Sequence, residues 1–209
     1  MWPDSSQTRE LLLGAREGNQ AAVNQLLDKH RDALRRMVEM RMDRAVSQRV
    51  DASDIVQEVL LEANRRLRDY MNDPRLPFHL WLRHMAKDRL IDAHRRHRQA
   101  ARRSVDREQA SVATPLDQST LDLMAGICDP ELTPAAAATW HELQSRFEAA
   151  IGELDEQDRE VVLMRHFEQL SNSEVAQSLN LSEPAAGMRY LRAMRRLREK
   201  LSGERPEAE

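Results

Sequence analysis

The sequence predicts an all-α protein made of two helical domains joined by an acidic linker. Three observations carry that prediction. The 209 residues include only six Gly and eight Pro, about half the share of an average globular chain, so few helix breakers are available. Aromatic residues make up 4% and charged residues 32%, a balance that suits amphipathic helices and argues against a sandwich or barrel. Finally, apolar residues recur at steps of three and four in two stretches, 8–103 and 141–203, and lose that spacing between them.

Each element follows from local chemistry. Gly14 and the pair Gly18-Asn19 punctuate the opening helices. Asp51 is placed to cap a further helix, DASDIVQEVLLEA. Residues 69–77 (DYMNDPRLP) predict a break, because Asn, Asp and two Pro cannot continue a helix. A helix resumes near Phe78 and runs to about Arg103, with Leu82, Met85, Ala86, Leu90 and Ala93 as its apolar row. Residues 104–140 hold three Pro and six acids against one Arg, the composition of a linker. Fully stretched, those residues reach roughly 120 Å at ~3.3 Å each; as a coil they average only ~35 Å.

In the second stretch Phe147, Ile151 and Leu154 share one face, and Val161, Val162 and Phe167 lie on a second helix. Ser171 and Glu174 form an S-x-x-E capping box opening a short helix through Leu179. Asn180 and Leu181 make a tight turn, and Ser182 caps a last helix with Pro184 in its first turn. A frayed tail is expected over 204–209.

Charge is segregated along the chain. The net charge of −3 conceals +6 over residues 83–103 and +5 over 189–200, which leaves −14 elsewhere. Two concentrated basic segments on an acidic chain point to a polyanion met at two places. The single cysteine, Cys128, excludes a disulfide framework and a multi-cysteine zinc site. No apolar run approaches the roughly 20 residues of a membrane span, and the start has no signal-peptide core. The expectation is a cytoplasmic protein without membrane contact. His79, His84, His94 and His97 with Asp88 and Asp92 suggest a metal-dependent enzyme, but Arg95, Arg96 and Arg98 crowd the same turns and oppose a divalent ion. With no nucleophile beside a base and no Gly-rich phosphate loop, neither catalysis, cofactor nor metal is expected.

Three constellations remain. The short helix, turn and longer helix from Ser171 onward have the helix-turn-helix order. At 100° per residue, Tyr190, Met194, Leu197 and Leu201 form a buried stripe. Arg189, Arg192, Arg195 and Arg196 fall roughly opposite, with Ala185 and Met188 among them. That layout suits a recognition helix, whose N-terminal turns approach base edges while Arg anchors bases or phosphates. The helix from Phe78 carries a basic row (Arg83, Lys87, His94, Arg98) behind an aromatic-bearing loop, Tyr70 through Phe78, and Trp81. Cations beside rings suit single-stranded nucleic acid. The helix after Asp51 has an acidic edge of Asp54, Glu58 and Glu62 beside Ile55, Val56, Val59 and Leu60. Like charges at i, i+4 cost a few tenths of a kcal/mol per pair, so the edge suggests a basic protein partner.

These motifs carry a resemblance. Asp51-Ala-Ser-Asp-Ile-Val-Gln-Glu-Val resembles the acidic-acidic-hydrophobic-hydrophobic-Gln-Glu motif of sigma-70 family factors of the extracytoplasmic-function (ECF) type, subunits of bacterial RNA polymerase. Phe78-x-x-Trp81-Leu82, Ala86, Leu90, Asp92 and Arg95-Arg96 are similar to the segment that melts and holds the −10 element. Leu181-Ser182-Glu183 through Arg189, Arg192-Ala193 and Leu197-Arg198 resemble the helix that reads the −35 element. The chain departs from the family in having Pro184-Ala185-Ala186-Gly187 in place of a Gly-Thr-Val-Lys-like start, and Asp88 where many relatives have Asn.

The resemblance implies a region 2 bundle over 8–103, a linker over 104–140 and a region 4 helix-turn-helix over 141–203. It implies core polymerase docking, on the β′ and β subunits, by Asp51, Asp54, Ile55, Gln57, Glu58, Leu61 and Glu62. Single-stranded DNA at −10 would meet Tyr70, Asn72, Phe78, Trp81, Arg83, Lys87, Arg95 and Arg96. Duplex at −35 would meet Ser182, Glu183, Ala185, Ala186, Met188, Arg189, Arg192 and Arg196. An anti-sigma factor is a further implied partner. Promoter elements two helical turns apart lie roughly 70 Å apart, which the linker reaches only when held stretched. The rival reading is a helix-turn-helix regulator that binds DNA without polymerase; it leaves the acidic helix unexplained.

Overall fold

The computed structural model describes residues 2–42, 44–47, 49–101, 147 and 149–202. All regular structure among them is helical. The linker 104–140 with Cys128, and the tail 204–209, lie outside the described residues. The chain divides into two compact units, Met1–Ala110 and Ser111–Glu209.

In the first unit, α1 (Ser5–Arg16), α2 (Gln20–Arg41), a short α3 (Arg44–Ser47), α4 (Ala52–Asn72) and α5 (Phe78–Ala101) surround one core. Three side chains cap the N-termini: Asp4 accepts from the Ser6 N–H, Asn19 from Ala21 and Ala22, and Asp51 from Ser53. Each such cap contributes about 1 kcal/mol by satisfying amides that have no partner within the helix. α2 packs against α1, α4 and α5, and α4 packs against α5. Leu26, Leu34, Val38, Val59, Ala63, Leu82 and Ala86 are fully buried where they meet.

Two local expectations are corrected here. Gly14 lies inside α1 rather than at a break; a Cβ there would stand 2.9 Å from that of Ala22, so the glycine lets α1 and α2 close together. Gly18, at φ +82°, makes the turn. Likewise α4 continues to Asn72 instead of ending at Asp69. The restraint imposed by Pro74 falls on the residue before it, and Asp73 duly leaves the helix at φ −140°, ψ 75°.

The second unit contains helical residues 149–152, α6 (Glu156–Val162), a π-helical turn (Leu163–Phe167), α7 (Asn172–Leu179) and α8 (Glu183–Ser202). The π turn interrupts the expected continuous second helix. Its extra residue per turn points Leu163, Met164 and Phe167 inward together. α8 packs on both α6 and α7, burying Ala186, Ala193 and Leu197 completely. Arg196 binds Asp155 at 2.9 Å and Asp158 at 2.6 Å, tying α8 to the start of α6. The Asp155 carboxyl is held below its usual range, first by the backbone N–H of Asp158 and then by Arg196.

Candidate protein and nucleic-acid interfaces

The exposed side of α4 follows the helical repeat. Asp54, Gln57, Glu58 and Leu61 are exposed at i, i+3, i+4 and i+7, and Leu61 is 51% exposed. Asp51 begins the row but spends its carboxylate on the cap, which lowers its pKa through the Ser53 N–H. Two expected members are not on this surface as free groups. Ile55 is buried in the core, because it sits on the face turned toward α2 and α5. Glu62 is bridged by Arg66 at 3.2 Å and by Arg89 from α5, so the acidic edge is neutralised at its far end. Arg89, the main cause of a lowered Glu62 pKa, lies 27 residues away in sequence.

The aromatic group at the α4–α5 junction is built inward. Phe78 is 2% exposed and Tyr70 9%. The Tyr70 ring stacks on Trp81 at 4.6 Å and meets Phe78 edge-on at 5.4 Å. Its hydroxyl donates to the carbonyl of Leu76 at 3.0 Å, holding the connection 73–77; burial pushes the phenol pKa up. Phe78 and Tyr70 are therefore packed inward, where the sequence reading had them stacking directly on bases. Above them opens a cleft of about 320 Å³ lined by Arg66, Asp69, Tyr70, Asp73, Arg75, Leu76 and Trp81. That volume lies at the lower end for ligand pockets. The cleft joins aromatic faces, two guanidinium groups and carboxylates at one place.

Elsewhere on α4 and α5, Asn72, Arg95 and Arg96 are exposed and Lys87 is half-buried. Arg83 is corrected. At 1% exposure it lies inside the unit and leaves the exposed basic row, since the same turn of α5 that buries Leu80 and Leu82 carries it inward. Arg66, Asp69, Asp73, Arg75 and Leu76 were missed by sequence reasoning. The available signal was their position within or just before the predicted break 69–77, where two helix ends converge.

The helix-turn-helix forms as the sequence predicts. Ser171 and Glu174 make the reciprocal capping box, and Asn180 takes the left-handed conformation (φ 53°) that ends α7. The Ser182 hydroxyl accepts from the Ala185 N–H at 3.3 Å. The Asn172 amide donates to the Glu183 carbonyl at 2.8 Å, fixing the start of α8 against α7. Ser182, Glu183, Ala185 and Arg192 are exposed, and Met188 is 57% exposed. Ala186 is fully buried against the unit's interior and is removed from the reading face. Arg189 turns toward Asp158 at 3.6 Å, and Arg196 is held by its two aspartates. The outward cations are Arg192, Arg195 and Arg198, joined by Leu191 at 58% exposure.

Among the described residues no cluster of three or more His, Cys, Asp or Glu is arranged to hold a metal. None of their helices is long and apolar enough to cross a membrane.

Residues 23–100 match the family model for sigma-70 region 2, and residues 144–197 match that for sigma-70 region 4. The chain is 28% identical over 189 residues to the RNA polymerase sigma factor CnrH of Cupriavidus metallidurans, covering 90% of this chain and 91% of the relative. Among solved structures it is similar to CnrH in complex with the cytosolic domain of CnrY, with a TM-score of 0.60 and 25% identity. That likeness covers 95% of this chain and 99% of the solved one.

Proposed function

The chain belongs to the sigma-70 family, as an ECF-type sigma factor that directs transcription initiation by core RNA polymerase at promoter DNA, and from that premise we propose how its surfaces divide the work. The row Asp54, Gln57, Glu58 and Leu61 docks on the polymerase, with Leu61 supplying apolar contact inside a charged frame. The cleft at the α4–α5 junction receives an unstacked base of the −10 strand, while Asn72, Arg95 and Arg96 follow its backbone. The exposed face of α8 takes the −35 duplex, and Arg192, Arg195 and Arg198 neutralise phosphates.

In this reading residues 8–103 act as region 2 and 141–203 as region 4. The acidic linker 104–140 lies stretched between the two promoter contacts, and the two weak contacts add through the tether and polymerase. The protein performs no chemistry of its own and works in the cytoplasm. Because CnrH has been solved with the cytosolic domain of another protein, a protein partner competing for the polymerase-facing surface is also proposed.

The observation that carries the reading is the exposed acidic row with Leu61. A helix-turn-helix regulator acting alone would have no use for it. Gel filtration of the chain with core polymerase tests the point. Co-elution should be lost in Asp54→Lys/Glu58→Lys, with the circular dichroism melt unchanged. Equal co-elution of wild type and variant would refute the docking surface.

A further inference from the structure

A recognition helix meets base edges with its N-terminal turns, and the side chains that read those edges by paired hydrogen bonds are Arg, Lys, Asn and Gln. Residues 183–188 of α8 include none of them. Ala186 is fully buried. Glu183 lies on the flank, about 140° around the helix axis from Met188 at 100° per residue. The outward surface of these turns is therefore Pro184, Ala185 and Met188, all apolar, with Met188 at its centre and 57% exposed. Arg192 follows one turn later on the same side, about 6 Å along the axis, and is exposed, as is Arg195. The face is an apolar tip followed by cations.

In the major groove one feature is matched by an apolar side chain rather than a hydrogen bond: the 5-methyl group of thymine. We infer that Met188 is a specificity-determining residue for the upstream duplex, reading a thymine through its 5-methyl group while Arg192 and Arg195 hold the flanking backbone. The inference rests on α7 and α8 acting as the duplex-reading element. The unbranched thioether has rotatable bonds enough to follow a methyl in the groove. The cations beside it favour a polyanion over an apolar protein partner on this face.

The experiment uses holoenzyme assembled from the full chain and core polymerase. Duplexes with a randomised upstream element are first selected by wild-type holoenzyme. Each thymine of the selected element is then replaced singly by deoxyuridine, which removes only the methyl. Desolvating one methyl corresponds to about a fourfold change in affinity. The inference requires about fourfold weaker binding at one or two positions for wild type, no such weakening for Met188→Ala, and a retained weakening for Met188→Leu. Met188 is exposed, so neither variant threatens the fold. Equal sensitivity of wild type and Met188→Ala, or none at any thymine, overturns the role of Met188 while leaving upstream recognition intact. Indifference of the holoenzyme to the whole upstream element would instead overturn the duplex-reading assignment of α8 and the inference with it.

Discussion

Replacing Tyr70 by phenylalanine separates a structural bond from a ring surface. The ring packing on Trp81 at 4.6 Å and Phe78 at 5.4 Å survives in Tyr70→Phe. Only the hydroxyl is removed, with its 3.0 Å bond to the Leu76 carbonyl. A net hydrogen bond of this kind contributes about 1 kcal/mol, which for a unit of roughly 100 residues corresponds to about 4–8 °C in Tm. The same bond holds the connection 73–77 over the cleft, so its removal should also loosen the proposed base site. Thermal unfolding of the full chain, followed by tryptophan fluorescence because Trp81 stacks on Tyr70, measures the first effect. Permanganate reactivity of promoter thymines with holoenzyme measures the second. The expected result is a lowered Tm, reduced reactivity near −10 and unchanged protection of the upstream duplex. An unchanged Tm would refute the tethering role; an unchanged Tm with opening abolished would mean that the hydroxyl touches the strand itself.

Other surfaces give separate expectations. Leu61→Ala should weaken co-elution with core polymerase without lowering Tm, because its side chain is half exposed. Arg192→Ala with Arg195→Ala should weaken promoter binding at all sequences and reduce the salt slope by about one for each phosphate left without its arginine, read from affinity against salt concentration. Ser171→Ala removes the capping box of α7 and should destabilise the second unit by about 1 kcal/mol in urea unfolding. His30 is fully buried beside Thr8, and burial lowers its pKa from 6.5 to about 4. The unfolded chain therefore binds a proton near pH 6.5 that the folded unit refuses until about pH 4. Stability should fall by about 1.4 kcal/mol per pH unit on acidification through that window, and His30→Leu should flatten that slope.

Much of the local structure was legible in the residues. The S-x-x-E box at Ser171, the cap at Asp51 and the turn at Asn180 all form, because each depends on interactions within four residues. The break before Phe78 was legible too, though its first helix ran on to Asn72. The π turn after Val162 was not: it answers to the packing of Phe167 rather than to any local signal.

The candidate site divides in the same way. Charge segregation and the acidic repeat at Asp54 and Glu58 stand in the sequence as composition and spacing. The sequence by itself therefore determined the helices, their caps and the sign of each surface. Tertiary structure decided which side chains reach that surface. Arg83, Phe78, Ile55 and Ala186 turn inward, and Glu62 is neutralised by Arg89 from a different helix. Side-chain spacing shows which residues share a face, but the rotation of that face toward core or water is set by the helices packed against it, and those are distant in sequence.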